Sequence, residues 1–309
     1  MKQTVYVIGH KNPDTDSVVS AIVFKDYLKK KKINAISSVA GKINKETKFV
    51  LSFLKEKTPL LLTSAENKIF FLVDHGNLEE AIEKLKTSSI SGVLDHHKMS
   101  NISTDIPIFY RCEPLGSTST LVYKVFQESK IKLTKKQASL LLCGIISDTL
   151  KLKSSTTTKE DELIVRKLIK LSGLKINFLS EKMFKAKSDI SGMKPKDIIL
   201  SDYKEFKFSK AKIGVAIHET TDSFIVREKK EKILQELNKI KKEKKVDLIF
   251  FAVIDILNKN CFFYLASLKE KEIIQKYFNG KKLEDEIIVV SGMVSRKKEI
   301  IPCLSKIFN

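Results

Sequence analysis

No two cysteines in this 309-residue chain stand at Cys-x-x-Cys spacing; Cys112, Cys143, Cys261 and Cys303 are widely scattered. That pattern argues against a zinc knuckle or a disulfide framework, and the four read as small core residues. Long apolar runs are lacking as well. The longest, such as Leu248 to Ile254, fall far below the roughly 18 residues that a membrane span needs. The opening Thr4-Val5-Tyr6-Val7-Ile8 is too short for the apolar core of a signal peptide, is not followed by a small-residue cleavage site, and reads as a buried strand. No membrane partner is therefore expected, and the location predicted is cytoplasmic. No internal repeat, low-complexity tract beyond lysine runs, or DNA- or RNA-reading motif is visible.

What the chain does carry is charge. Its net charge of +20 would suit nucleic acid, an anionic membrane or a polyanionic substrate. The lysines are spread along the whole sequence, however, as a compositional bias would spread them. In the densest run, Lys229 to Lys245, eight lysines accompany three glutamates on a predicted helix. A solvated helix face is the favoured reading of that run, nucleic-acid binding the lesser one.

At this length two domains are the natural expectation. The first half alternates strand and helix: Val5 to Gly9, a helix from about Ser17 to Lys31, Ala35 to Val39, and a helix from about Lys45 to Lys57. Strands over Ile69 to Val73, Gly92 to Leu94 and Ile106 to Tyr110 follow, with a helix over Leu78 to Leu85, then several helices between Ser117 and Ile190. Near-continuous apolar strands joined by crossovers predict an α/β fold with a mostly parallel sheet covered on both faces. The polar stretch 189–195, with a glycine and a proline, reads as a linker between an N-terminal domain (1–188) and a smaller C-terminal α/β domain (196–309). In the latter, Ile213 to Ile217 and Leu248 to Ile254 read as strands around a long helix. Phe262 to Leu265 adds a strand, and a short helix follows Pro302.

Chemistry concentrates at strand ends. Gly9-His10-Lys11-Asn12-Pro13-Asp14-Thr15-Asp16-Ser17 follows the first strand, where open α/β sheets place their ligands. One imidazole and two carboxylates in a single turn suit manganese, cobalt or magnesium, although Asp16 or Ser17 by itself could simply cap a helix. Val73-Asp74-His75 and Leu94-Asp95-His96-His97 load two further strand ends, and Asp148 closes a long apolar helix against its dipole. Like charges gathered at one edge repel unless cations neutralise them.

Taken together, these motifs resemble the DHH phosphoesterase superfamily, and within it the manganese-dependent family II inorganic pyrophosphatases. The set runs along essentially the whole chain: His-x-Asn-Pro-Asp-x-Asp-Ser, Val-Asp-His, Asp-His-His, Glu113-Pro-Leu-Gly-Ser-Thr118, Ile-Ser-Asp148-Thr and Val294-Ser-Arg-Lys-Lys298. The resemblance implies a DHH catalytic domain and a substrate domain with the active site in the cleft between them. It implies one metal on His10, Asp14 and Asp74, and a second on Asp16, Asp74, His96 and Asp148, with Asp74 bridging. The expected cofactors are two manganese or cobalt ions per subunit, with magnesium accompanying the substrate. His97, Lys204, Arg296 and Lys297 would contact pyrophosphate, Asp95 would orient a ligand histidine, and His75 has no implied role. The implied reaction is pyrophosphate hydrolysis by a two-metal-activated hydroxide, in a homodimer assembled through the N-terminal domain. The alternative is a related exopolyphosphatase or short-oligonucleotide phosphodiesterase; the glycine-rich Gly-Gly-Gly-His segment of nuclease-type relatives is missing. Departures from the family pattern fall at Ile217 or His218, at Ser155 and at Gly76-Asn77, none of them on an implied metal ligand.

Overall fold

Four apolar residues, Val5–Ile8 (β1), form the strand around which the first half of the chain is built. The computed structural model describes residues 3–309 and divides between Ala186 and Lys187 into two compact units. In the first unit β1 is joined by Ala35–Val39 (β2), Leu60–Leu61 (β3), Ile69–Val73 (β4), Ile90–Asp95 (β5) and Phe109–Cys112 (β6). All neighbouring pairs are parallel and the order is β3-β2-β1-β4-β5-β6. The chain winds outward in one direction from β1 and in the other from β4. Their carboxyl ends therefore flank the crevice where doubly wound sheets bind ligands.

The helices of this unit are Thr15–Lys30 (α1), Lys45–Phe53 (α2), Thr118–Glu128 (α3), Lys135–Asp148 (α4), Lys159–Ser172 (α5) and Ile176–Lys187 (α6). The cap of α1 is Asp14, whose Oδ1 accepts from Ser17 N at 2.9 Å; neither Asp16 nor Ser17 takes that place. A capping box of Thr134 and Gln137 starts α4, which is buried without a break from Ala138 to Ser147 and ends on Asp148. Gly144 allows that close packing. A Cβ there would stand 2.1 Å from Ser119 Oγ and 2.5 Å from Asp16 Oδ1.

One expectation needs correction. The helix expected over Leu78 to Leu85 is a series of turns. Ala81 and Ile82 are buried as expected of apolar positions, but Lys11 N donates to Glu80 O and Ala65 N to Glu83 O. The first of those bonds commits to another loop a carbonyl that the helix would give to Lys84 N. Lys84 also has φ +61°, which a right-handed helix excludes. The segment 189–195, expected as a linker, follows the division at Ala186 and Lys187, and its Ile190 is buried with Ile198 and Val226 of the second unit.

The second unit runs Pro195–Leu200 (α7), Tyr203–Lys207 (β7), Lys212–Thr220 (β8), Phe224–Arg227 (α8), Lys230–Glu243 (α9), Leu248–Asp255 (β9), Asn260–Leu265 (β10), Leu268–Tyr277 (α10), Lys281–Glu284 (β11) and Ile287–Ser291 (β12). A π-helical turn over Arg296–Ile300 then leads into Ile301–Phe308 (α11). Its sheet has the order β11-β12-β10-β9-β8-β7, parallel only between β8 and β9. All eight residues of β9 are buried, alternating between two cores. Phe250, Ala252 and Ile254 pack with Ile274 of α10 and Leu304 of α11. Ile249, Phe251 and Val253 pack with Ile233, Leu237 and Ile240 of α9. The basic run thus lies on a helix whose apolar stripe is buried, with Lys241 reaching the buried Glu270 at 2.7 Å. No helix among the described residues is long and apolar enough to cross a membrane.

Candidate metal centre

At the crevice between β1 and β4, the loops after β1, β4 and β5 meet the end of α4. His10 and Asp14 follow β1, Asp16 lies in the first turn of α1, Asp74 follows β4, His96 follows β5, and Asp148 ends α4. Three groups of donor atoms form there: His10 with Asp14 and Asp74, Asp16 with Asp74, His96 and Asp148, and Asp74 with His96 and the half-exposed His97. Within each group the donors lie within 4.8 Å of one another. Asp74 alone belongs to all three, and its two oxygens divide between the first two. Oδ2 is 3.4 Å from His10 Nε2, and Oδ1 is 3.4 Å from His96 Nε2. His10 Nε2 is also 3.7 Å from Asp14 Oδ2, and His96 Nε2 is 3.5 Å from Asp148 Oδ2.

Asp74 reaches this position through an unusual backbone. Its φ is +64°, in the left-handed region that aspartate tolerates better than most non-glycine residues. Strain of this kind is retained where the surroundings fix the side chain, and Asp74 N donates to Leu94 O at 3.0 Å. The amino end of α3 does the rest. Thr118 Oγ1 donates to Asp74 Oδ1 at 2.9 Å, Thr118 N to Asp16 Oδ2 at 2.6 Å, and Ser119 N to Asp16 Oδ1 at 3.0 Å. Thr118 and Ser119 thereby take a role that residue type alone does not announce. Gly116-Ser-Thr before an apolar helix was the available signal, because such a start presents free N–H groups to an anion.

The histidines are set by their other nitrogens. His96 Nδ1 donates to Leu115 O at 2.9 Å, which turns Nε2 toward the carboxylates as the nitrogen that would hold a cation once it gives up its proton. His97 Nδ1 lies 2.9 Å from Asp95 Oδ1, and that oxygen also accepts from His96 N and His97 N. Asp95 therefore orients the half-exposed His97 and not the ligand histidine expected. His75 is buried, donates from Nδ1 to Val73 O at 3.0 Å, and stands edge-on to His10. Burial holds its imidazole neutral, so it packs beneath His10.

Electrostatics describe a pocket short of positive charge. Burial and the neighbouring Asp74 push the Asp16 carboxyl up to about 7. Burial opposes protonation of His10, but the carboxylates of Asp14 and Asp74, which accept from its protonated ring, outweigh it and raise its pKa to about 10. His96 is likewise raised to about 9 against burial, chiefly by Asp74. Asp74 is held well below the usual carboxylate range: burial works the other way but is outweighed by His10 and His96. His96 Nε2 is buried and makes no hydrogen bond, although three carboxylates surround it. Imidazole nitrogen and carboxylate oxygen in this mixture are the donor set of manganese and similar divalent ions, and the residues fit such ions.

Lys204, Arg296 and Lys297 all lie in the second unit. Lys204 is on β7, and Arg296 and Lys297 open the π-helical turn. Arg296 is committed locally, with Nη2 donating to Asp202 Oδ1 at 2.7 Å and Nη1 to Asp202 O at 2.8 Å.

Sequence comparison matches residues 4–145 to the DHH family, N-terminal domain, and residues 181–307 to the DHHA2 domain. A manganese-dependent inorganic pyrophosphatase of Methanothrix thermoacetophila is 36% identical over 312 residues, covering 100% of this chain and 99% of that protein. A solved structure from Methanococcus jannaschii, described as a family II inorganic pyrophosphatase, superposes with a TM-score of 0.68 at 35% identity, covering 99% of both chains. An exopolyphosphatase-related protein from Bacteroides fragilis shares the fold at a TM-score of 0.52 and 16% identity, covering 99% of this chain and 91% of the other. With full-length identity of this order added to the two matched domains, the chain belongs to the manganese-dependent, family II inorganic pyrophosphatases of the DHH type.

Proposed function

We propose that this protein hydrolyses inorganic pyrophosphate to two phosphates with manganese as its metal. The observation that carries the reading is the division of Asp74's two oxygens between two groups of donors. One ion would be held by His10, Asp14 and Asp74, the other by Asp16, Asp74, His96 and Asp148, with cobalt able to substitute. When bound, such ions supply Lewis acidity, lowering the pKa of water and neutralising phosphate charge.

The chain's own residues supply orientation and fixed charge. Thr118 and Ser119 hold Asp16 and Asp74 in place, and Leu115 O fixes the His96 tautomer. Asp95 raises the His97 pKa, so this imidazole keeps a proton further into the neutral range and can donate it from Nε2 to a phosphate oxygen. Lys204, Arg296 and Lys297 serve as cationic ligands of the tetra-anion, which arrives with magnesium; a guanidinium fork suits phosphate oxygens. Cytoplasmic action and assembly as a homodimer through the N-terminal unit belong to the same reading. They are supported by four free cysteines and by the edge strand β6, where Phe109 is exposed. Phosphate release from pyrophosphate tests the reading. Chelator-treated protein should be inactive, and manganese should restore it. Full activity in the chelated protein would refute the role given to the metal.

A further inference from the structure

Glu46 is a glutamate at 1% exposure, in the first turn of α2, away from every motif that marks the metal centre. Its Oε2 accepts from two hydroxyls, Ser147 Oγ at 2.7 Å and Thr15 Oγ1 at 3.1 Å. Thr15 Oγ1 in turn lies 3.1 Å from Thr47 Oγ1. All four of these residues are buried. One carboxylate oxygen thereby joins the amino end of α1, the amino end of α2 and the carboxyl end of α4.

What Glu46 touches gives the arrangement its meaning. Thr15 stands between Asp14 and Asp16, and Ser147 immediately precedes Asp148. Asp16 and Asp148 come from segments more than a hundred residues apart, yet they must meet in one donor group with Asp74 and His96. Asp16 is tied from the α3 side by Thr118 N and Ser119 N. Glu46 ties the residue beside it from the α2 side, and the same oxygen ties the residue beside Asp148. A buried carboxylate is costly where apolar packing would serve, so a purely structural contact among three helices does not call for one.

We propose that Glu46 is a positioning residue that holds Asp16 and Asp148 in register for the cation they share. This rests on the two-metal reading of the site. Because Glu46 acts through Thr15 and Ser147, its loss should be read in metal affinity and not only in turnover; outer partners of metal ligands commonly contribute 10–100-fold in affinity.

The test is manganese titration of chelator-stripped full-length protein by calorimetry, with the fold checked by circular dichroism. Wild-type protein failing to bind two ions would sink the metal reading itself, whatever the variants do. Given two ions in wild type, Glu46→Ala should weaken one of them at least tenfold. His10→Ala removes a ligand of the other group only, so in that background the ion weakened by Glu46→Ala should be the one remaining. Glu46→Gln, whose amide oxygen can accept the same two hydroxyls, should recover most of the loss. Folded Glu46→Ala with both affinities within twofold of wild type would overturn the proposal. Should Glu46→Ala fail to fold, Ser147→Ala and Thr15→Val decide. Each removes one donor and should cost roughly three- to tenfold, and unchanged affinity in both would overturn it equally.

Discussion

His97 Nδ1 lies 2.9 Å from Asp95 Oδ1, while the adjacent His96 turns its own Nδ1 away to Leu115 O. Neighbouring histidines are thus oriented by different partners, and their variants should fail differently. His96→Ala should weaken manganese binding. His97→Ala should keep the metal and lose turnover, and Asp95→Ala should follow His97→Ala in losing turnover with the metal kept. Elemental analysis beside phosphate release checks this. Loss of metal in Asp95→Ala with retention in His96→Ala would reverse the assignment.

Manganese uptake should release protons. Before a cation arrives, His10 and His96 titrate at about 10 and about 9, so both are protonated at neutral pH. A ligand imidazole must be neutral. Affinity should therefore rise with pH up to those values, by as much as about tenfold per unit for each proton released. In the metal-free protein the sign for stability is opposite. Raised folded-state pKa values contribute stability that is complete below the ordinary histidine value and is lost as pH climbs through about 9 to about 10. Calorimetry in buffers of different ionisation enthalpy measures the proton count, and an affinity independent of pH would contradict this description.

Gly144 should tolerate no side chain. The Cβ of an alanine would fall 2.5 Å from Asp16 Oδ1 and 2.1 Å from Ser119 Oγ, both held by the α3 amino end. Gly144→Ala should cost about 1–3 kcal/mol of stability from overpacking and weaken the metal group that contains Asp16. A melting curve and a metal titration together check both halves; unchanged values in each would show that α1 and α4 can separate cheaply.

Arg296 and Lys297 should matter to substrate and not to metal. Neither can ligate a cation, so alanine at either position should leave manganese stoichiometry intact. A lost charge-assisted hydrogen bond to phosphate is worth roughly 1.5–3 kcal/mol, about an order of magnitude or more in kcat/KM. Arg296→Lys should recover little, because an ammonium cannot reproduce the fork that grips Asp202 and suits phosphate. Wild-type kinetics in Arg296→Ala would remove it from the substrate contacts.

Much of this was legible in the residues themselves. Apolar runs mark β1, β4 and β9, and the order of strand-end acids and histidines points to one edge of one sheet. Other features depend on partners distant in sequence. The edge strands β7 and β11 are strands because of what they pair with. The turns over 78–85 mimic helical spacing but spend their carbonyls on other loops. Which histidine Asp95 orients is a choice between adjacent residues that no spacing rule makes. Thr118 and Glu46 carry hydroxyl and carboxylate groups too common to stand out until the fold brings them beside Asp74 and Asp16.

The comparison that bears most directly on the whole account is kcat/KM for pyrophosphate against long-chain polyphosphate and a dinucleotide, on one preparation with manganese and magnesium. Pyrophosphate should be cleaved to two phosphates with far the highest value, because His97 and the three basic residues are assigned to a small tetra-anion. Preference for the dinucleotide or for long polyphosphate would contradict the substrate assignment, leaving the metal centre to a different phosphoester or phosphoanhydride.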